Sequence, residues 1–244
     1  MSKIIAVWGA TDSGKTTLAI NLASQLNKKY NAMVAVVCAD DTTPALPLIF
    51  PNAKSEDMLS IGAVLSTPDI TESEILRNIV TVKGRKNLGF LAFKDGENRF
   101  SYPKLDKTKI ETFFAVLKGI VDVVIIDCTH NIDNPITAVS FKVADDVIRV
   151  VNPDIKNVSF FSSQLPLMTD PQYKTASHII CLNSTDNAVC EPITQATAYF
   201  SDVAFTFPYQ AELKSQFMKG TVLEKINDKN YNSVLTALGE KVVE

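Results

Sequence analysis

The chain has 244 residues, 46% hydrophobic and 21% charged, with a net charge of −3 and a pI near 5.5. That composition is typical of a soluble globular protein with a sizeable core. It contains no Lys/Arg block to mark a nucleic-acid or anionic-membrane binder, and no apolar run of the ~18 residues needed to span a bilayer.

The opening MSKIIAVWGA has too short an apolar run for a signal peptide. A cytoplasmic protein is therefore expected, with no membrane anchor. Four cysteines fit that setting: Cys38, Cys128, Cys181 and Cys190 form no C-x-x-C pair and read as small buried hydrophobes.

In chain order, strands are expected at 3–8, 33–39, 88–93, 121–127, 146–151, 177–183 and 202–207. Most are continuous β-branched runs, the pattern of strands covered on both faces. Helices are expected at 14–29, 106–119, 134–143, 154–165, 191–199, 209–219 and 230–243. This alternation predicts a three-layer α/β fold: a doubly wound, mainly parallel sheet with helices on both faces, as one domain over residues 1–244. Two stretches break the rhythm. Residues 41–81 carry Pro44, Pro47 and Pro51, which call for extended or turn backbone. Residues 94–105 read as a polar hairpin or excursion turning at Asp95-Gly96.

Between the first strand and first helix lies GATDSGKTT, which fits the phosphate-loop spacing G-x-x-x-x-G-K-[ST]. Residues Gly9, Ala10, Thr11, Asp12, Ser13, Gly14, Lys15, Thr16 and Thr17 are the candidate phosphate-binding segment. Backbone N–H groups at a helix start, aided by the helix dipole, make an anion site. Gly9 and Gly14 permit backbone angles and close approaches that a Cβ would block. Lys15 is expected to reach the β- and γ-phosphates, and the Thr16 hydroxyl to ligate Mg²⁺. Such a site also needs an acid at a nearby strand end. VDVVIID supplies Asp127, a Walker B pattern suited to holding the metal through water. A further acid, Asp40, follows the second strand at VVCADD.

An N-terminal phosphate loop, an acid closing strand two, the I-I-D strand, then ADDVIRVVNPDIKNVSF, HIICLNS and FPYQAELKSQFMKG follow in that order. With these motifs the sequence resembles the ParA/MinD group of P-loop ATPases over nearly its whole length. The resemblance implies ATP and Mg²⁺ as cofactors. It implies catalytic roles for Lys15, Asp40 and Asp127, with metal ligation by Thr16, Asp40 and Asp127. Asn183 matches an asparagine that contacts the adenine, and Pro208 and Tyr209, with the helix leading to Lys219-Gly220, match a late loop that packs on the base. A nucleotide-dependent homodimer and a protein partner, not yet identifiable, are also implied. Direct DNA binding is not favoured, given the low pI.

Two departures from the family pattern bear on chemistry. The family's second loop lysine, which reaches across an ATP-sandwiched dimer, is here Ala10, followed by Thr11 and Asp12. The first acid of its D-x-D after strand two is Cys38. Loss of a cross-dimer cation, worth roughly 10³–10⁵ in rate for an arginine finger, leaves binding and slows hydrolysis. Arg149 and Lys156 are candidate replacements. His130, just past Asp127, is read as a polar loop residue, with γ-phosphate sensing as the alternative. Asp145 and Asp146 are read as a solvated turn, and Phe160 and Phe161 as core.

Three functions compete. The first is an ATP switch that positions a protein or DNA assembly, in partition, pilus, secretion or conjugation; TadZ-like pilus proteins are one such type. The second is a dethiobiotin-synthetase-like enzyme acting on a small carboxylate or carbamate, with Lys83, Arg85, Lys86 and Lys94 as candidate substrate cations. The third is a nucleotide-stabilised adaptor without turnover.

Overall fold

The computed structural model describes residues 2–54, 58–184 and 199–244. The chain starts with β1 (Lys3–Gly9), the loop, α1 (Lys15–Tyr30) and β2 (Val34–Cys38). Three short helices follow, α2 (Leu46–Ile49), α3 (Ile61–Ser66) and α4 (Glu72–Asn78), then β3 (Val80–Val82) and β4 (Arg85–Leu91). The next elements are α5 (Lys107–Ile120), β5 (Val123–Asp127), α6 (Pro135–Val143), β6 (Asp146–Val151) and α7 (Ile155–Gln164). The chain ends with β7 (Ile179–Asn183), β8 (Val203–Phe207), α8 (Ala211–Lys219) and α9 (Lys229–Val243).

The strands form one sheet in the order β3-β4-β2-β5-β1-β6-β7-β8. Among the described residues, all pairings are parallel except the edge pair β3–β4. Alternate residues of β1 feed two apolar layers. Ile4, Ala6 and Trp8 pack with α3–α7, whereas Ile5 and Val7 pack with α1, α2 and α9. These are the three layers expected from the continuous apolar runs. Cys38, Cys128 and Cys181 are buried within them; Cys190 lies outside the described residues, as does most of the helix expected at 191–199. Phe161 is core and Phe160 packs against that core, both ringing Trp8.

Several expectations are corrected. The stretch 41–81 is not only extended or turn backbone, since it also forms α2, α3 and α4. Pro47 is the second residue of α2, where its missing N–H belongs to a group that would lack a helical partner anyway. Ser60 and Thr71 cap α3 and α4 through their side chains. The excursion 94–105 turns at Gly96 (φ 79°) but forms no hairpin. Asp145 is more than a solvated turn: it accepts the Ile4 N–H at 2.7 Å and pairs with Lys118 at 3.0 Å. Helix α9 buries Leu235, Leu238 and Val242, and its Gly239 lies close against Gln25 and Leu26 of α1. Among the described residues, no helix is long and apolar enough to cross a membrane.

Candidate functional site

In a parallel sheet all strand C-termini emerge on one edge, and loops there can converge on a ligand. Parallel register sets Asp127 of β5 between Val7 of β1 and Cys38 of β2. The Cys128 N–H donates to the Val7 carbonyl at 3.0 Å, and the Ala39 N–H to the Asp127 carbonyl at 2.9 Å. The phosphate loop, Asp40 and Asp127 are thereby fixed side by side.

Packing dictates the two loop glycines. A Cβ on Gly9 would lie 2.3 Å from the Val150 carbonyl oxygen of the neighbouring strand. Gly14 has φ 91°, and a Cβ there would lie 2.4 Å from Asn183 Nδ2. Asp12, with φ 61°, is the non-glycine residue of this loop in left-handed backbone. Aspartate tolerates that conformation better than most residues.

Lys15 Nζ donates to the Ala10 carbonyl at 2.7 Å, folding the ammonium over the loop. Burial lowers its pKa, while Asp127, Asp40 and Asp12 act in the opposite direction. The neighbouring Thr16 hydroxyl favours the ionised form of the Asp127 carboxylate. Asp127 is buried, and desolvation raises its pKa to about 6 despite Thr16 and Lys15. Among the described residues, its Oδ1 has no hydrogen-bond partner. Asp40 caps its own turn, accepting the N–H groups of Thr42 and Thr43 at 2.8 and 2.9 Å.

These groups open onto a cavity of about 1280 Å³, larger than the roughly 300–1,000 Å³ of most ligand pockets. Thr11, Asp12, Gly14, Lys15, Thr16, Thr17, Asp40, Asp127 and His130 line one end; Asn183 and Tyr209 also line it. Gly9, Ala10, Ser13 and Pro208 are not lining residues. Ala10 and Ser13 are buried behind the loop, and Pro208 sits between lining Phe207 and Tyr209. Cys38 is buried, with burial pushing its thiol pKa well up, so it offers no anion where the family pattern has an acid.

The cavity also has an apolar lining, in which Leu213, Phe217 and Met218 of the helix expected to pack on the base are joined by Pro47, Leu48 and Pro51, which sequence reasoning missed. Lys214 and Lys219 also line the cavity. The i, i+4 spacing of Leu213 and Phe217 in α8 was a readable signal for a shared face. Arg149 does not reach the cavity. It is buried, donates to His178 Nδ1 and to the Thr175 carbonyl, and lies over the Phe161 ring. It therefore cannot replace the missing loop lysine.

The orphaned Asp127 oxygen, beside the Thr16 hydroxyl and the Lys15 ammonium, fits a hard divalent cation with oxygen ligands. The glycine-lined loop and helix start fit a polyphosphate.

No protein-family model and no curated protein matches the sequence. Solved structures do match. The septum site-determining protein MinD of Pyrococcus horikoshii, complexed with Mg-ADP, is 22% identical with a TM-score of 0.74, covering 99% of this chain and 96% of that one. A ParA-family ATPase of Chlorobium tepidum is 12% identical with a TM-score of 0.78, each chain being 98% covered. A Borrelia burgdorferi protein bound to AMPPNP is 17% identical with a TM-score of 0.75, covering 99% of this chain and all of the other. The chain thus has the P-loop fold shared by MinD and the ParA-type ATPases.

Proposed function

We propose that this chain is an ATP·Mg²⁺-binding, slowly hydrolysing switch of the ParA/MinD type, a single nucleotide-binding domain over residues 1–244 acting in the cytoplasm. The observation that carries this reading is the convergence of Lys15, Thr16, Asp40 and Asp127 at one end of a single cavity. The nucleotides in the Pyrococcus and Borrelia structures support the choice of ligand.

Each residue has a role that its placement allows. The loop N–H groups and Lys15 bind and orient the polyphosphate. Thr16 and Asp127 would hold the metal, which would neutralise negative charge on the phosphates. Asp40, anchored by its own turn, orients water at the same end. Asn183, Tyr209 and the apolar wall take the base. Buried Ala10 presents no cation to a second copy, so turnover is slow while binding persists.

The loops after Asp40 and Asp127 respond to the nucleotide and present a surface to a second copy of the chain and to a protein partner. Positioning of a pilus, secretion, conjugation or partition assembly is the role this suggests. The carboxylate-modifying enzyme is disfavoured: Lys83, Arg85, Lys86 and Lys94 do not line the cavity, and Arg85 instead binds Ser24 Oγ and the Leu223 carbonyl.

Calorimetric titration with ATP and Mg²⁺ tests the reading: Lys15→Ala is expected to abolish binding, and unchanged affinity would overturn it. Single-turnover hydrolysis separates switch from adaptor. Wild type no faster than Asp40→Ala and Asp127→Ala would favour the adaptor.

A further inference from the structure

A carboxylate in a polyphosphate cradle is adverse, because like charges repel. Asp12 lies in that position, and its charge acts on the Lys15 ammonium. Left-handed backbone at Asp12 and again at Gly14 curls the loop so that N–H groups can gather around an anion. The Asp12 side chain is 85% exposed, and its Oδ2 lies 3.5 Å from Lys156 Nζ, which is 66% exposed.

The start of α7 fixes where Lys156 stands. Asp154 caps the helix by accepting the Asn157 N–H at 2.8 Å, and Asn157 Oδ1 accepts the Asn152 N–H at 3.2 Å. Lys156 therefore projects from a helix start tied to the tip of β6, next to the strand that carries the phosphate loop.

We propose that Lys156 is a positioning residue for the polyphosphate: it draws the Asp12 carboxylate to the α7 side of the loop and offsets its charge. The inference rests on the nucleotide reading of the cavity. It explains how an acid is tolerated in a cradle that lacks a lysine at Ala10. Unlike a lysine reaching across a dimer, Lys156 acts within its own chain and on affinity. Exposed ion pairs contribute about 0–1 kcal/mol, so the effect is a factor of up to about five, and salt screens it.

The test is the affinity of Lys156→Gln, Lys156→Arg, Asp12→Asn and the Lys156→Gln/Asp12→Asn double variant for ATP·Mg²⁺ and for adenosine, at low and high ionic strength. Lys156→Gln is expected to weaken ATP binding about three-fold at low salt, leave adenosine unchanged, and be rescued by Lys156→Arg. Asp12→Asn is expected to tighten ATP binding, and adding Lys156→Gln to it to change little. Unchanged ATP affinity in Lys156→Gln, or an equal loss with and without Asp12, would overturn the inference. Lys15→Ala separates the two levels. If it abolishes binding while Lys156→Gln changes nothing, only the role of Lys156 fails; if it too changes nothing, the nucleotide reading fails first.

Discussion

The side-chain amide of Asn183 donates to the carbonyl of Ser13 at 2.9 Å, joining the tip of β7 to a loop 170 residues earlier in the chain. The same nitrogen occupies the space that a Cβ on Gly14 would need. Two separate costs therefore bear on Gly14→Ala. Its φ of 91° is strained for any side chain, by about 1–2 kcal/mol, and the new methyl displaces the amide. Urea denaturation is expected to show at least that loss of stability. Adding Asn183→Ala should relieve the clash but not the backbone strain, so full recovery in the double variant would contradict the account.

Asp127 gives the site a definite pH dependence. Its folded pKa of about 6 lies above the ordinary value of 3.8, because burial penalises the charged carboxylate. A raised carboxyl pKa destabilises the fold in the ionised form: unliganded stability falls as pH rises from 3.8 to about 6, then levels off. Asp127→Asn is accordingly expected to stabilise the unliganded protein at neutral pH by on the order of 2 kcal/mol, while abolishing the gain in nucleotide affinity on adding Mg²⁺. In wild type that Mg²⁺-dependent gain should fade below about pH 6 as the carboxyl protonates. Thermal melts with and without metal across this range are the check.

His178 works in the opposite direction. Burial, reinforced by the Arg149 charge, lowers its pKa from 6.5 to about 4. Its Nε2–H donates to the Tyr173 carbonyl at 2.7 Å while Nδ1 accepts from Arg149, an arrangement that requires the neutral ring. The unfolded chain takes up a proton that the fold refuses, so stability is full above pH 6.5 and falls as pH drops toward 4. His178→Gln keeps a donor and an acceptor but cannot titrate. Its denaturation midpoint is expected to vary less across that window than that of wild type, while its nucleotide affinity is unchanged, since the residue does not line the cavity.

What the sequence revealed, and what it hid, follows from how far apart the interacting residues are. The run from β1 through the loop into α1 was legible because spacing and glycines act within a few residues. Asp127 was legible because a five-residue buried strand ends on it. The edge strand Val80–Val82 was missed because three partly exposed residues carry no period. Helix α4 was missed despite a readable signal: Thr71 followed three residues later by Glu74 is a capping-box pattern, and the Thr71 hydroxyl accepts the Glu74 N–H. The placement of Pro47 and Leu48 in the same cavity as Phe217 and the pairing of Asp12 with Lys156 depend on tertiary proximity, which no local pattern encodes.

The polar excursion 94–105 owes its shape to one carboxylate. Glu97 accepts the hydroxyls of Ser60 and Tyr102 and the N–H of Lys94, and Ser60 in turn caps α3 by accepting the Gly62 N–H at 3.1 Å. Tyr102 lies so close to Gly62 that a Cβ there would sit 2.2 Å from its ring. Removing the acceptor leaves the buried Ser60 hydroxyl without its partner and unties the excursion from the helix. Hydrogen bonds to a charged group are worth about 1.5–3 kcal/mol net, so Glu97→Ala is expected to cost on the order of 2–3 kcal/mol. It should also speed proteolytic cleavage between 94 and 105. Glu97 does not line the cavity, so ATP affinity measured well below the melting temperature should be unchanged. A parallel fall in affinity would instead mean that the excursion braces the nucleotide end of the sheet through Ala92, just past β4, whose carbonyl accepts the Ile61 N–H at 3.0 Å.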